Sequence, residues 1–458
     1  MKHLLQVLFI LVISTTAFAQ REHGIRPTAT GGPLSAEQAA FDVQSYDITV
    51  RVRPETKSIE GTTVMTAKTV IPTNMVVLDL DTPYAVSKVT DGTRDLKFER
   101  TETQIRIWFP MTKQVGDEIK TSVSYSGVPK IAPNPPWIGG FMWKKTADGS
   151  DWISIACQND GADLWFPVKD HPSDKPARVA VHATVPQPLV AASVGKLQGN
   201  HKNNDGTVTY DWLMTNPISN YEVILDIAPY RVIKDSVKSI TGETIPIEFY
   251  ILPESYEKGQ WLVDETKKYN AFYEKFIGPF PFRSQKLGIV ETPHLGMEHS
   301  TIIAYGNKFR GMGEPFDWLM LHEFGHEWWA NLVTATDWRD FWIHEGFQTF
   351  MDTLYVEETQ GKEAYFKSMQ AKAKATLNLQ PVAPREPQFS YQVYLLAPDY
   401  IKSNGDIYGK GGVILHTLRY LIGDDAFFRA LRRMAYPTKE METFTDGRQT
   451  RLVNTDDF

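Results

Sequence analysis

Residues 321–329 read LHEFGHEWW, with two histidines four positions apart and a glutamate directly after the first. On a helix, His322 and His326 project from the same face one turn apart, which is the separation that two imidazoles need to bind one tetrahedral Zn²⁺. Glu323 falls on an adjacent face, where it can reach a metal-bound water rather than the metal. Most neighbouring residues are apolar, so the helix is expected to be buried, and buried polar side chains need partners. The pattern favours a zinc site over a solvated helix surface.

A third metal ligand is needed, and the next helical segment supplies a candidate. Glu345 falls in the first turn of a predicted helix and completes the pattern H-E-x-x-H-x18-E. Two histidines and one glutamate leave the fourth position of a tetrahedral zinc open, which is typical of a catalytic site. Asp352 lies two helical turns after Glu345, where it can accept the second N–H of a ligating histidine. An ordinary exposed helix carboxylate is the alternative for Asp352.

Two further segments contain residue types that suit such a site. Gly296, Met297 and Glu298 follow an apolar run, and a carboxylate near zinc can bind a cation such as the free α-amine of a peptide. Tyr408 precedes a Gly-rich turn and a predicted helix, and its hydroxyl can stabilise the oxyanion of a tetrahedral intermediate. Taken alone, the Glu298 segment is better explained as a strand edge with a solvated glutamate. Tyr408, taken alone, is better explained as a plain turn tyrosine.

The texture of the chain changes near residue 233. Residues 41–233 consist of short alternating runs such as YDITVRV and EVILDI, separated by turn sequences such as DGT, which predicts an all-β sandwich or saddle. Residues 234–458 contain helical patterns together with the histidine motif, which predicts a mainly helical catalytic domain. A Pro- and Tyr-rich connection at 379–407 interrupts them, and loops of that length are usually functional or disordered. The predicted fold class is α+β and multidomain.

The N-terminus predicts export. Residues 1–19 combine a basic residue, an apolar run and a small-x-small ending, as in a cleaved signal peptide, and residues 20–40 resemble a loose arm. An uncleaved membrane anchor is the alternative, but the apolar run is short for a bilayer. No later segment approaches 18 consecutive apolar residues. We therefore expect a periplasmic or secreted bacterial protein with no stable membrane insertion after cleavage.

Composition excludes other classes of protein. The 458 residues carry a net charge of −7 and no long basic run, which does not suit a nucleic-acid partner. The single cysteine, Cys157, rules out an internal disulfide, and a small buried thiol is a more common role than a nucleophile. The stability of the chain is expected to rest on core packing.

The motifs together resemble the aminopeptidase N family of gluzincins. The segment 296–298, the H-E-x-x-H-x18-E pattern and a Y-x-K-G sequence occur in the family order, and the segments IGPFPF, NPISNY and WFPVKDHPSDK also look like family segments. The resemblance covers roughly residues 41–458 and implies a β saddle followed by a thermolysin-like domain. It implies these roles: zinc ligands His322, His326 and Glu345; general base Glu323; transition-state stabiliser Tyr408; ammonium anchor Glu298; N-terminus recognition by Gln158; substrate-strand lining by Gly296 and Met297.

The sequence also departs from the family pattern. His299 follows Glu298 where Asn is usual, and His344 precedes Glu345 where Asn is usual. The sequence ends at VNTDDF, where family members continue, so it is expected to be either a fragment or a minimal version without the helical C-terminal domain. That domain would be missing together with the basic residues that some relatives use to bind a substrate carboxylate.

The resulting expectation is a zinc-dependent aminopeptidase with one Zn²⁺ per chain, acting on peptides with a free N-terminus. An ammonium anchor one residue from the scissile bond predicts exo- rather than endo-cleavage. The alternatives are another zinc hydrolase, such as an endopeptidase or an epoxide hydrolase, and a non-catalytic peptide-binding protein. The preferred N-terminal residue and the oligomeric state do not follow from the sequence.

Overall fold

The computed structural model describes residues 30–396 and 402–458. The predicted signal peptide at 1–19 and residues 20–29 of the predicted arm lie outside the described residues. The described part of the arm ends in a short 3₁₀ turn, Gln38–Ala40, that leads directly into the first strand. No helix within the described ranges is both long enough and apolar enough to cross a bilayer.

The N-terminal half is a β structure, because its alternating residues bury one face of each strand. In the first strand Tyr46, Ile48 and Val50 are buried at every second position. The strands are β1 Phe41–Arg53, β2 Ser58–Thr69, β3 Thr73–Asp79, β4 Tyr84–Thr90, β5 Lys97–Arg100, β6 Gln104–Lys113, β7 Glu118–Gly127, β8 Gly140–Lys145, β9 Asp151–Ala156, β10 Arg178–Pro186, β11 Val190–Ser193, β12 Lys196–Lys202, β13 Thr207–Met214 and β14 Leu225–Ala228.

These strands form three sheets. A seven-stranded sheet has the order β12-β13-β10-β1-β2-β7-β4, a four-stranded sheet the order β11-β14-β9-β8, and a three-stranded sheet the order β3-β6-β5. β1 and β10 pair in parallel, which brings together strands far apart in the chain. The sheets enclose a core with Trp165 and Trp212 fully buried. The predicted all-β N-terminal half is confirmed.

The next sheet belongs to the second half of the chain. Its strands are β15 Arg231–Lys238, β16 Thr244–Ile251, β17 Leu287–Glu291, β18 Gly296–Met297 and β19 Ile303–Tyr305, in the order β15-β16-β17-β19-β18. The change of sheet therefore falls between Ala228 and Arg231, slightly before the predicted boundary after residue 233. β18 is the edge strand and pairs antiparallel with β19, so Glu298 directly follows the sheet edge.

The helices lie in the second half, and the predicted mainly helical catalytic region is confirmed. They are α1 Tyr256–Phe276, α2 Trp318–Gly325, α3 Trp342–Gln360, α4 Lys362–Ala375, α5 Gly409–Ile422 and α6 Asp424–Ala435. Two short strands, β20 Val333–Ala335 and β21 Arg451–Val453, pair in parallel beside them.

The histidine motif lies on α2 and the turn that follows it. Asp317 caps α2, because its Oδ1 accepts a hydrogen bond of 2.9 Å from the N–H of Met320. The sequence pattern of residues 316–333 is helical throughout, but the regular helix ends at Gly325. A wide π-type turn, Glu327–Leu332, follows, and its backbone leaves helical geometry at Trp329. This departure frees the carbonyl of Trp329 to accept a hydrogen bond from His326.

Candidate active site

Three side chains from two helices meet in a small triangle. Nε2 of His322 lies 3.2 Å from Nε2 of His326, and Oε2 of Glu345 lies 3.3 and 3.5 Å from the two nitrogens. Four ligands placed tetrahedrally at about 2.0–2.1 Å from Zn²⁺ are separated from one another by about 3.3 Å. The three sides of the triangle match that spacing, so these residues fit a zinc ion.

Hydrogen bonds at the far side of each imidazole direct it toward the triangle. Nδ1 of His326 is 2.8 Å from the carbonyl oxygen of Trp329, and because a carbonyl only accepts, this nitrogen donates. Nδ1 of His322 is 2.8 Å from Oδ2 of Asp352. Both Nε2 lone pairs are thereby left for a metal. Asp352 lies where the sequence predicted it, and Gln348 holds its other oxygen at 2.9 Å.

The electrostatics of the triangle suit a cation. Burial would lower the pKa of His326, but the facing Glu345 carboxylate raises it to about 9. Burial would raise the pKa of Glu345, but the adjacent His326 and His322 lower it instead. Oε2 of Glu345 is buried and receives no well-formed hydrogen bond from the described residues. A carboxylate held as an anion against two imidazoles is a donor set suited to Zn²⁺.

Glu323 lies beside the triangle rather than in it. Its carboxylate, one from Glu298 and the His326 ring form a second group with ligand-type atoms within 4.8 Å of one another. Burial raises the pKa of Glu323 to about 8, against the charges of both histidines. Gly296 explains how this carboxylate fits, since a Cβ there would lie 2.8 Å from Oε1 of Glu323. Glu323 is thus placed to exchange a proton with a group at the metal.

Glu298 is held by groups from the β half of the chain. Its carboxylate is buried, and its Oε1 accepts a hydrogen bond of 2.9 Å from the hydroxyl of Tyr221 and another from Nε2 of Gln158. Asn331, in the turn after α2, donates to the backbone carbonyl of Glu298 at 3.0 Å. Met297 is also buried, and it lines one cavity together with Glu298.

Tyr394 was not predicted, although it connects the two parts of the site. Its hydroxyl lies 2.6 Å from Oε1 of Gln158 and 3.1 Å from Oε1 of Glu345. The single proton of this hydroxyl lies between the two oxygens, so Tyr394 links Gln158 to Glu345, while the NH₂ group of Gln158 points at Glu298. The available signal was the length of the 379–407 connection that contains Tyr394. Tyr221, also missed, ends the NPISNY segment.

Tyr408 lies at the start of α5, as the Gly-rich turn predicted. Its ring stacks on Tyr394 with centroids 6.1 Å apart and lies 6.3 Å from the ring of His322. Two glycines allow this approach: a Cβ on Gly346 of α3 would lie 2.8 Å from Cα of Gly411 on α5. The close crossing of the two helices brings Tyr408 to the metal triangle.

The two histidines that depart from the family pattern are buried and neutral. Burial lowers the pKa of His299 well below its usual range, and its ring faces that of His294 at a centroid distance of 6.4 Å. Burial lowers the pKa of His344 to about 3, and its Nε2 accepts a hydrogen bond of 3.0 Å from the N–H of Ala335. His344 thus ties α3 to β20. Cys157 is fully buried, which raises its thiol pKa and matches the predicted unreactive role.

The predicted site residues and Tyr394 line one cavity of about 550 Å³. Its walls are formed by α2, α3, α4, the β18 edge, the start of α5 and the Gln158 segment of the β half. Trp137 and Trp318 are partly exposed at its surface. The residues that the sequence singled out as site residues all lie on this cavity.

The fold and this site define a zinc metallopeptidase. The chain belongs to peptidase family M1, the aminopeptidase N family: it matches the Peptidase M1 N-terminal domain over residues 43–221 and the Peptidase family M1 domain over residues 261–446. The family that the motifs predicted is confirmed, and the family implies zinc as the metal.

Several curated aminopeptidases are similar to this chain in sequence. Probable aminopeptidase 1 of Saccharolobus solfataricus is 24% identical over 380 residues, which cover 77% of this chain and 44% of that protein. Endoplasmic reticulum aminopeptidase 1 of Homo sapiens is 23% identical, covering 96% of this chain and 49% of that protein. The chain thus spans about half the length, or less, of these curated relatives.

Solved structures share the fold over nearly the whole chain. An M1 zinc metallopeptidase from Deinococcus radiodurans, a mutant bound to a Tyr-Ser-Ala substrate, matches with a TM-score of 0.74 at 23% identity. The match covers 93% of this chain and 91% of that chain. A two-domain M1 zinc metallopeptidase mutant bound to L-tryptophan matches with a TM-score of 0.72 at 22% identity, covering 95% and 91%.

Proposed function

We propose that this protein is a zinc-dependent aminopeptidase that removes the N-terminal residue from peptides. The observation that carries the proposal is the buried Glu298 carboxylate beside the metal triangle. Within residues 30–396 and 402–458, no lysine or arginine forms an ion pair with Glu298, and its side-chain donors are neutral. A buried carboxylate needs a cationic partner, and the free ammonium of a peptide supplies one. An endopeptidase would leave Glu298 without that partner.

The residues of the chain divide the reaction among them. Zn²⁺, one per chain, would be held by His322, His326 and Glu345, and when bound it supplies Lewis-acid activation of water and of the scissile carbonyl. Glu323 accepts the proton of the attacking water and delivers a proton to the leaving amine. The hydroxyl of Tyr408 donates a hydrogen bond to the developing oxyanion.

The remaining residues position the substrate. Glu298 binds the ammonium one residue from the scissile bond, so the bond that is cut is the one after the first residue. Gln158 donates to Oε1 of Glu298 and so orients this anchor. Gly296 and Met297 form the edge strand along which an extended peptide would bind. Asp352 holds His322 in its ligating orientation.

The expected location is outside the cytoplasm. Residues 1–19 have the sequence features of a signal peptide, which supports export to the periplasm or the medium. Fractionation of cells expressing the full chain, with N-terminal sequencing of the mature product, tests this. Cytoplasmic protein that retains residues 1–19 would contradict it.

The proposal is tested with one peptide offered in two forms. A mass-spectrometric time course follows the peptide with a free and with an acetylated N-terminus, with and without a zinc chelator. Loss of single residues from the free form alone, abolished by the chelator, is the expected result. Equal cleavage of both forms would indicate an endopeptidase, and zinc binding without cleavage would indicate a binding protein.

A further inference from the structure

Lys372 occupies an unusual position on α4. The buried stripe of this helix runs through Tyr365, Met369, Lys372 and Thr376, at spacings of four, three and four residues. Tyr365 and Met369 are buried and Lys372 is half-buried, whereas the other three lysines of α4 are exposed. A lysine on the inward stripe of a helix is uncommon, because burying an ammonium without a partner is costly.

The inward position directs Lys372 to the catalytic cavity. Lys372 lines that cavity together with the metal triangle, Glu298 and Tyr408. Its backbone lies next to the start of α5, since a Cβ on Gly409 would lie 3.5 Å from the carbonyl oxygen of Lys372. Gly409 directly follows Tyr408, so Lys372 belongs to the wall that carries the proposed oxyanion donor.

The ammonium of Lys372 has no protein partner in the part of the chain that the structure describes. Its backbone carbonyl accepts a hydrogen bond from Thr376, but no ion pair or side-chain hydrogen bond engages Nζ there. Lysines often extend a charged end to water over apolar surface. Here Lys372 instead lines the cavity that contains the candidate metal site.

The charges lining the cavity are otherwise acidic. Four carboxylates line it, and Lys372 is the one lysine or arginine among the described lining residues. The carboxylates are assigned to the metal, to proton transfer, to the substrate ammonium and to the support of His322. The cavity therefore offers an anionic anchor on its β18 wall and a cationic group on its α4 wall.

We infer that Lys372 binds a substrate carboxylate and that the preferred substrates are short peptides with a free C-terminus. The inference rests on the proposed aminopeptidase function. One peptide can pair with both charged walls at once: its ammonium binds Glu298 and its terminal carboxylate binds Lys372. The cavity of about 550 Å³ lies within the usual range for sites that enclose small ligands, about 300–1,000 Å³. Di- and tripeptides fit this description better than long chains.

The test compares three tripeptides with the same N-terminal residue. One has a free C-terminal carboxylate, one is the C-terminal amide, and one is an amide with glutamate as its second residue. Values of kcat and KM are measured for the wild-type enzyme and for Lys372→Gln, Lys372→Arg and Lys374→Gln. Lys374 is the matched control, because it lies on the same helix but is exposed and does not line the cavity.

The wild-type enzyme should bind the free acid with a KM about tenfold lower than that of the simple amide. Lys372→Gln should abolish this difference in KM, Lys372→Arg should retain part of it, and Lys374→Gln should leave it unchanged. Equal KM values for acid and amide in the wild type would overturn the inference and leave the aminopeptidase proposal intact.

The glutamate-containing amide distinguishes the two sources of a carboxylate. If it alone gains affinity through Lys372, the partner is an acidic side chain and the assignment to a free C-terminus is overturned. If none of the three peptides loses its N-terminal residue, the proposed function itself fails. Zinc content and the melting temperature of each variant separate these outcomes from misfolding.

Discussion

The metal triangle and the ammonium anchor lie in one cavity but are assembled in different ways. The triangle comes from two neighbouring helices within residues 322–345. The anchor draws Gln158 and Tyr221 from the β half, Glu298 from a sheet edge and Tyr394 from a long connection. The residues of the triangle, which every substrate requires, thus lie close together in the sequence. Recognition of the peptide end instead depends on contacts between the two halves of the chain.

The largest effect is expected from Glu323→Ala. Loss of the general base should lower kcat by about 10²–10⁴-fold. Zinc content should not change, because Glu323 is not one of the three ligands. Metal analysis and steady-state kinetics on the same sample check both statements. Retained turnover would remove Glu323 from the mechanism.

Tyr408→Phe should have the next largest effect. Removing one oxyanion donor is expected to lower kcat by about 10²–10³-fold while KM changes little. The ring itself is kept, so its stacking on Tyr394 is preserved. A change confined to KM would show that Tyr408 binds the ground state and has no role in the transition state.

Glu298→Gln tests whether the anchor is independent of the metal triangle. Replacing the carboxylate by a neutral amide should raise KM for free-amine peptides by about 10–150-fold, since a hydrogen bond to a charged group contributes about 1.5–3 kcal/mol. Zinc affinity should stay at the wild-type value. Loss of zinc in this variant would mean that the two regions are one unit.

Tyr394→Phe tests the residue that connects the metal triangle to the ammonium anchor. Removing its hydroxyl frees Oε1 of Glu345 and the Gln158 amide, and loss of such a support to a metal ligand typically costs about 10–100-fold in metal affinity. Zinc affinity is measured by competition with a chromophoric chelator.

Tyr436→Phe is the control for that experiment, since its buried hydroxyl also donates at 2.6 Å, to the carbonyl of Pro279. It should lower stability by about 1 kcal/mol and leave zinc affinity unchanged. Equal zinc affinity in Tyr394→Phe and the wild type would leave Tyr394 with no role at the metal.

The same contrast explains what the sequence could predict. Helical periodicity places His322 and His326 on one face of their segment, and Glu345 and Asp352 on one face of the next helix, so each pair follows from spacing. The β and helical halves followed from their alternating and helical patterns in the same way. The hydroxyl of Tyr394 meets Gln158 across 236 residues of chain, and no local pattern encodes such a contact.

The end of α2 shows a second limit of local patterns. The residues after His326 have a helical pattern, but the backbone turns at Trp329 so that its carbonyl can hold the imidazole. A requirement of the metal triangle thus overrides the helical preference of the segment. Lys372 was missed for a related reason, since its face of α4 matters only once α5 and the cavity are in place.

The parallel pairing of β20 with β21 has a consequence for biosynthesis. β20 carries the chain out of the π-type turn that holds His326, and its partner strand comes from residues 451–453. A ribosome makes about 5–20 residues per second, so β20 waits for several seconds with an open edge while the intervening helices are synthesised. Open edges invite pairing with other chains. Nascent chains are therefore exposed to misassembly beside the turn that holds His326, and slowed translation in this interval should lower the yield of folded protein.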